Sequence, residues 1–174
     1  MQPNEVGLVK LFAGVLYTDN ELLLQAKSML VGKYGPIDFE SDIFDFTISE
    51  YYRAEMGWPI ERIFWSFETL INPKQIAKIK IECNEIENQI AVVRNRKINL
   101  DPGYMDYNKI VLASAKYNGQ KVYLDFGIYA DLTMHYEKGK FYPYPWSFPD
   151  FKGDAYDATF LRIREIFKLQ RKQG

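Results

Sequence analysis

Residues 8–17 form a nearly continuous apolar segment, LVKLFAGVLY, interrupted by a single lysine. A strand that is apolar at consecutive positions buries both of its faces, so it lies inside a sheet with a covering layer on each side. The chain can supply these layers, because 47% of its 174 residues are apolar and 26% are charged. That balance is typical of an ordinary globular domain and excludes disordered and fibrous proteins.

Two helices alternate with strands over the first hundred residues. The first helix is predicted to begin at Asn20 and to end at Gly35-Pro36, and the second follows the cap and proline of Asn72-Pro73. In the second helix, apolar residues recur at steps of three and four from Ile76 to Ile90, the strongest helical repeat in the sequence. Further strands are predicted over 37–46, 59–70 and 96–100.

This order, β-α-β-β-α-β with a short helix before the third strand, predicts an α+β fold with a ferredoxin-like core. We expect an antiparallel meander and a C-terminal helix from Asp154 to extend the core, with the turn Asn118-Gly119 joining two paired strands. The alternative is a wider mixed sheet that the later strands join. No repeat or flexible linker divides the sequence, so residues 1–174 are predicted to form one domain.

Charge and cysteine content narrow the class of protein. The chain has 22 Lys and Arg against 23 Asp and Glu, so its net charge of −1 provides no broad positive field for nucleic acid or an anionic membrane. It shows neither a signal-peptide pattern nor an apolar run of the roughly 18 residues that a spanning helix needs. The single cysteine, Cys83, lies on the helical apolar repeat and predicts a buried, unreactive thiol. We therefore expect a soluble protein of the cytoplasm.

Four segments together resemble a known family. They are KLFAGVLYTDNELL (10–23), FDFTISEYYRAEMG (44–57), INLDPGYMDYNKIVLASAK (98–116) and GIYADLTMHYEKGKFYPYPWSFPDF (127–151). Over nearly its whole length the sequence is similar to an uncharacterised bacterial family, domain of unknown function 4416, whose members often carry the label GTP-binding protein. The resemblance implies no established activity beyond what that label suggests.

The residues argue against a conventional GTPase. A phosphate-binding loop of the form G-x-x-x-x-G-K-[ST] holds phosphates with its backbone N–H groups and Mg²⁺ with its hydroxyl. The Gly-Lys pairs of this sequence, Gly32-Lys33 and Gly139-Lys140, precede Tyr34 and Phe141. Neither pair is therefore followed by the Ser or Thr hydroxyl that would hold Mg²⁺. No NKxD-type tetrapeptide that would read a guanine base is present. An unconventional nucleotide-binding site is the alternative that these residues leave.

Polar side chains at three predicted places are candidates for a site. The segment Asp101-Pro102-Gly103-Tyr104 places a carboxylate and a phenol at a loop beside Arg96, although Asp-Pro-Gly is also ordinary turn chemistry, which is the preferred interpretation. On the strand 59–70, Arg62 and Glu68 share a face. An arginine there could bind a phosphate or carboxylate, or pair with an acid of the protein itself.

The third place is a polar face along residues 128–137. Its predicted members, ~6.6 Å apart along one strand, are Asp131, Thr133, His135 and Glu137. Because zinc normally takes three or four protein ligands and His135 is the only histidine, a solvent-facing surface is preferred over a zinc site. An all-oxygen Mg²⁺ site made from the carboxylates is the alternative.

We therefore predict that the protein binds a small anionic ligand, such as a nucleotide or a phosphate-bearing metabolite, in a pocket on the sheet. The predicted ligand-binding residues are Arg62, Glu68, Arg96, Asp101, Tyr104, Asp131 and His135. In an enzyme, Asp101 or Asp131 would act as acid/base or Mg²⁺ ligand, but no motif assigns a reaction, a cofactor or a metal. The competing prediction is a non-enzymatic interaction protein, a homodimer, that uses the Pro/aromatic segment 141–151 as its contact surface.

Overall fold

A computed structural model describes residues 1–48, 50, 52–92 and 95–173. The elements, in chain order, are β1 (Val9–Tyr17), α1 (Asn20–Tyr34), β2 (Ile37–Glu40), β3 (Phe44–Asp45), α2 (Arg53–Met56), β4 (Glu61–Ile71), α3 (Ile76–Gln89), β5 (Ile98–Met105), β6 (Lys109–Ser114), β7 (Val122–Asp125), β8 (Ile128–Glu137), β9 (Lys140–Pro143) and α4 (Asp157–Gln173). Short 3₁₀ turns at Pro73–Gln75 and Pro149–Phe151 precede α3 and α4.

Four strands form the predicted ferredoxin-like arrangement. Strand β1 lies between β4 and β5, and β2 lies outside β4, so the order is β2-β4-β1-β5 with antiparallel neighbours. Helix α1 therefore connects two parallel strands with β4 between them, and α3 connects two parallel strands with β1 between them. Every residue of β1 is buried, which confirms the interpretation of the apolar run as a central strand.

Later strands extend the same sheet beyond β5, so the wider-sheet alternative also describes the molecule. The order continues β5-β6-β8-β7, and β9 pairs with β8. All strand pairings in the described part of the chain are antiparallel, which corrects the expectation of a mixed sheet. The Asn118-Gly119 turn does not join two paired strands, because β8 lies between β6 and β7.

Helices cover both faces of the sheet. On one face, Leu23 and Leu30 of α1 and the apolar repeat of α3 pack against β1 and β4. Cys83 is fully buried in this core, and burial raises the pKa of its thiol to about 12, which keeps it protonated at neutral pH. On the other face, Phe160 and Ile163 of α4 pack in a second core with residues of β1, β4 and β6.

Capping residues set the boundaries of the two helices that the sequence predicted best. The Asp19 carboxylate accepts a hydrogen bond from the Leu22 N–H at the start of α1, and Gly35 ends that helix with a φ of 91°. Before α3, Asn72 and Gln75 form a capping box. No helix within the described residues is long and apolar enough to cross a membrane.

Candidate functional site

Strand β5 contains the segment that the sequence predicted to be a turn, so that prediction is wrong. Asp101, Pro102 and Gly103 continue the pairing with β1 instead of reversing the chain. Gly103 is needed there, because a Cβ atom would lie 2.6 Å from the carbonyl oxygen of Val111. Pro102 is tolerated because its nitrogen, which has no hydrogen to donate, points away from β1 toward an edge where β6 has separated.

A gap in the sheet follows from this separation. Strands β5 and β6 pair from Gly103–Leu112 to Met105–Ile110, and the preceding half of β5 has no pairing to β6 over the residues described. The gap is part of a cavity of about 660 Å³. Helix α3 lines it from one face of the sheet, and Phe151 of the second core lines it from the other.

Two side chains of α3 bind the free backbone edge of β5. Lys80 Nζ donates a hydrogen bond to the carbonyl oxygen of Leu100 (2.7 Å), and the Leu100 N–H donates one to Glu87 Oε1 (2.6 Å). These bonds replace those that a neighbouring strand would provide. Burial raises the pKa of the Glu87 carboxyl, although Lys80, the Leu100 N–H and Arg96 all act in the opposite direction.

Asp101 lies between cations from two different elements. Its carboxylate is 3.6 Å from Lys80 Nζ of α3 and 3.8 Å from Arg62 Nη2 of β4. It also accepts a hydrogen bond of 2.8 Å from Asn99 Nδ2. Asp101 therefore connects the two sides of the cavity, and it is not the cap of a turn.

Arg62 is buried in the cavity wall, with 4% of its surface exposed. The ring centres within 5.1 to 6.0 Å of its guanidinium carbon are those of Phe46, Phe64, Phe151 and Tyr156. Its ion pairs are long, 3.8 Å to Asp101 and 3.4 Å to Asp150. Nε has no hydrogen-bond partner among the residues that the structure describes. Since buried guanidinium groups normally have their donors satisfied, Arg62 retains unused donor capacity.

Asp150, which lies 3.4 Å from Arg62 Nη1, is itself 6% exposed. Burial raises the pKa of its carboxyl, and the charge of Arg62 opposes that effect. The Tyr156 hydroxyl is 3.4 Å from Asp150 Oδ2. A raised pKa favours the neutral carboxyl, which weakens the attraction between Asp150 and Arg62.

Arg96 also lines the cavity, but carboxylates occupy its donors. Nε and Nη2 donate to the two oxygens of Glu55 (2.7 and 2.9 Å), and Nη1 donates to Glu87 Oε2 (2.7 Å). The hydrogen bonds from Arg96 lower the pKa of the Glu55 carboxyl despite an opposing effect of burial. Arg96 therefore holds two acidic side chains in place.

Asp131 lines the part of the cavity that lies at β8, and it is 4% exposed. Lys121 Nζ is 3.3 Å from Asp131 Oδ2 and donates a hydrogen bond of 2.8 Å to Ser114 Oγ. Asp131 Oδ1 has no hydrogen-bond partner in the described part of the chain. Phe148, whose ring centre is 5.7 Å from Lys121 Nζ, lines the cavity and is half exposed.

The cavity brings together four of the predicted ligand-binding residues: Arg62, Arg96, Asp101 and Asp131. The other three lie elsewhere. Glu68 is exposed near the end of β4. Tyr104 packs against the core formed with α1 and α3, where burial raises the pKa of its hydroxyl, and lines a separate cavity of about 300 Å³. His135 lies near two tyrosine rings, with ring centres 5.6 Å away for Tyr142 and 5.2 Å away for Tyr144.

A β-bulge separates His135 from Asp131. The register between β6 and β8 shifts by one residue at Thr133. Asp131 is opposite Leu112 and His135 is opposite Lys109, and these two partners lie on different faces of β6. The prediction that Asp131 and His135 share a face is therefore wrong.

The sequence analysis missed five charged residues at or beside the cavity: Lys80, Glu87, Lys116, Lys121 and Asp150. The sequence of α3 does contain a pattern that indicates two of them. Lys80, Asn84 and Glu87 follow one another at steps of four and three, beside the apolar repeat. We find no comparable pattern around Asp150, which lies in a 3₁₀ turn of the Pro/aromatic segment.

Neither Gly-Lys pair lies at the start of a helix. Gly32-Lys33 lies in the last turn of α1, at the negative end of the helix dipole, and Gly139-Lys140 lies at the turn from β8 to β9. Both positions are therefore unsuited to a conventional phosphate-binding loop. In the regions that the structure describes, no three or more His, Cys, Asp or Glu side chains are arranged to hold a metal ion.

The sequence model of a family, described as a domain of unknown function (DUF4416), matches residues 7–167. All of the cavity residues named above lie within this range. No curated protein and no solved structure matches the chain. The description of the family names no ligand, so binding of GTP stays a prediction.

Proposed function

We propose that the chain, which belongs to the family described as a domain of unknown function (DUF4416), binds a small anionic ligand in the cavity between β5 and β6. The ligand would carry a phosphate or carboxylate group that pairs with the guanidinium of Arg62. The cavity volume of about 660 Å³ lies within the range of small-molecule sites, ~300–1,000 Å³.

The observation that carries the proposal is the incomplete set of partners around Arg62. Its ion pairs of 3.4 and 3.8 Å are longer than the ~2.8 Å of a charge-assisted hydrogen bond, and its Nε is unpartnered within the described residues. Arg96, in the same cavity, makes three such bonds of 2.7 to 2.9 Å. An oxyanion would complete the donor set of Arg62 in an apolar setting that strengthens the pairing.

Isothermal titration calorimetry with pyrophosphate, phosphate and sulfate tests this proposal. We expect at least one of these anions to bind the wild-type protein and Arg62→Met to weaken that binding about tenfold or more, because an ion pair worth over ~1.4 kcal/mol is lost. Arg62→Lys keeps the charge without the planar fork and should give an intermediate affinity. Arg162→Met changes an exposed arginine of α4 and serves as the matched control.

Circular dichroism and a melting curve establish which variants fold. If Arg62→Met folds and binds the anion as tightly as the wild type, the proposal is wrong. If Arg62→Met does not fold, the comparison between Arg62→Lys and the wild type decides in the same way.

A second proposal rests on the Pro/aromatic segment 141–151, which a second copy of the chain would cover. Three side chains of this segment remain 41 to 50% exposed: Tyr142, Trp146 and Phe148. Clustered exposed aromatic groups are typical of contact surfaces. Light scattering during gel filtration tests this proposal: a dimer that Tyr142→Ser weakens would support it, and a monomeric wild type would contradict it.

A further inference from the structure

Two buried atoms without partners line the same cavity and have complementary chemistry. Arg62 Nε is a donor and Asp131 Oδ1 is an acceptor, and neither has a hydrogen-bond partner in the described portion of the chain. Both residues are 4% exposed. Buried polar atoms of this kind are uncommon and call for an explanation at each site. One ligand that contacts both atoms would explain the two together.

The separation of the two residues limits the size of such a ligand. Arg62 lies on β4 and Asp131 on β8, four positions apart in the order β4-β1-β5-β6-β8. With strands ~4.8 Å apart, this is ~19 Å measured along the sheet, but the Arg62 guanidinium reaches to 3.8 Å from Asp101 of β5, which lies two strand spacings, ~10 Å, from β8. A ligand that contacts both side chains must bridge this part of the cavity, for which a molecule longer than a free phosphate ion is suited.

The chemistry of each end of the ligand follows from the side chain that it contacts. A guanidinium offers only donors, so the ligand presents an anionic acceptor to Arg62. A carboxylate offers only acceptors, so the ligand presents an N–H or O–H group to Asp131. Lys121 Nζ, which lies 3.3 Å from Asp131 Oδ2, is 5.7 Å from the centre of the Phe148 ring, and this half-exposed ring offers a flat apolar surface. Such a surface suits a planar ring that stacks on it.

We infer that the ligand is a nucleoside phosphate whose phosphate pairs with Arg62, whose base stacks on Phe148, and whose exocyclic amino group donates to Asp131. This inference rests on the proposed function, because it assumes that Arg62 binds the anionic group. To the proposed function it adds three features of the ligand: its length, a planar ring, and a hydrogen-bond donor at the end away from the phosphate. It concerns binding and requires no reaction.

Calorimetry with matched nucleotides tests the inference. The main pair is adenosine 5′-monophosphate and purine riboside 5′-monophosphate, which differ in the exocyclic amino group alone. Cytidine and guanosine 5′-monophosphates supply other bases with amino groups, and phosphate and pyrophosphate supply the anion without a base. We expect at least one amino-bearing nucleotide to bind the wild type about tenfold more tightly than purine riboside 5′-monophosphate.

Variants then show which residues cause the preference for the amino group. Asp131→Ala should abolish the advantage of the amino group, and it should not weaken the binding of pyrophosphate, which has no amino group. Phe148→Ala should weaken every nucleotide and leave pyrophosphate unchanged. Asp125→Ala, which changes an exposed carboxylate at the end of β7, is the control and should alter neither.

The outcomes separate the inference from the proposed function. If purine riboside 5′-monophosphate binds as tightly as the amino-bearing nucleotides, or if pyrophosphate binds and the nucleotides do not, the inference is wrong and the anion site at Arg62 stands. If none of the nucleotides or inorganic anions binds, both are wrong. The comparison of nucleotides uses the wild-type protein, so it decides the inference even if Asp131→Ala fails to fold.

Discussion

At the scale of single residues, the cavity contains two arginines in contrasting surroundings. The sequence analysis assigned both Arg62 and Arg96 to the anion, because residue type and strand position can be seen in a sequence. The partners that distinguish them cannot, since Glu55 of α2 lies 41 residues before Arg96 in the chain. Arg96 is saturated by carboxylates, and Arg62 is surrounded mostly by aromatic rings.

We predict that Arg96→Ala lowers the free energy of unfolding by about 3 kcal/mol, because it leaves the buried carboxyl of Glu87 without the cation that is hydrogen-bonded to it. Urea denaturation measures this change. Arg162→Ala removes an exposed pair with Glu165 and should change stability by less than ~0.5 kcal/mol. Equal losses in the two variants would show that Arg96 contributes no more than a surface residue.

Anion binding should strengthen as the pH falls, because the pKa of the Asp150 carboxyl is raised by burial. Below that raised pKa the carboxyl is neutral and no longer competes for Arg62, whereas above it the carboxylate competes with the ligand. Sulfate is the suitable probe, since its charge does not change in this range. Calorimetry at a series of pH values, from neutral down toward the normal pKa range of carboxyl groups, should show that the affinity of the wild type for sulfate rises as the pH falls.

The Asp150→Asn variant is the control for this pH dependence. Its side chain does not titrate, so its affinity for sulfate should vary less with pH than that of the wild type. A wild-type affinity that stays constant over the same range would contradict the role given to Asp150.

At the scale of elements, the sequence predicted a boundary correctly where the residues that fix this boundary lie close to it in the chain. The ends of α1 and the start of α3 follow from capping residues and a proline close to each boundary. Strand β5 could not be predicted in this way. Asp-Pro-Gly is a local turn signal, but the pairing with β1 and the hydrogen bonds from α3 override it. The bulge at Thr133 likewise depends on the pairing partner.

Gly103→Ala should lower the free energy of unfolding by about 1–3 kcal/mol, because the added methyl group would lie 2.6 Å from the Val111 carbonyl oxygen and 2.7 Å from the Phe12 ring. A turn at this position would tolerate alanine far better. Urea denaturation distinguishes the two cases. Gly119→Ala, where a Cβ atom would meet nothing within 4 Å, is the matched control and should be close to neutral. A neutral Gly103→Ala would contradict the strand pairing.

At the scale of the whole molecule, the apolar run in β1 was enough to predict a sheet with a layer on each face. The pattern of helices and strands was also enough for the order β2-β4-β1-β5. The insertion of β8 between β6 and β7 was not predictable, because residue periodicity identifies strands and carries no information about distant partners. The gap between β5 and β6 is a property of that sheet as a whole, so the cavity was beyond sequence reasoning as well.

The covering of the second face can be tested in α4. Phe160→Ala should lower the free energy of unfolding by about 3–5 kcal/mol, because the ring is fully buried and contacts Phe12 and Phe64 of the sheet. Leu169→Ala, at a position of the same helix that is 57% exposed, should have little effect. Thermal or urea unfolding measures both. A small loss for Phe160→Ala would mean that α4 does not cover this face.

The short ladder between β5 and β6 also divides the sheet mechanically. Strands β4, β1 and β5 are joined by ladders of eight residue pairs each, whereas three pairs join β5 to β6. The sheet therefore consists of two extensively paired parts with a narrow connection, and α3 packs against both parts. Because the cavity lies beside this connection, we expect its width to depend on the angle between the two parts. A molecule that bridges Arg62 and Asp131 would hold the two parts of the sheet together.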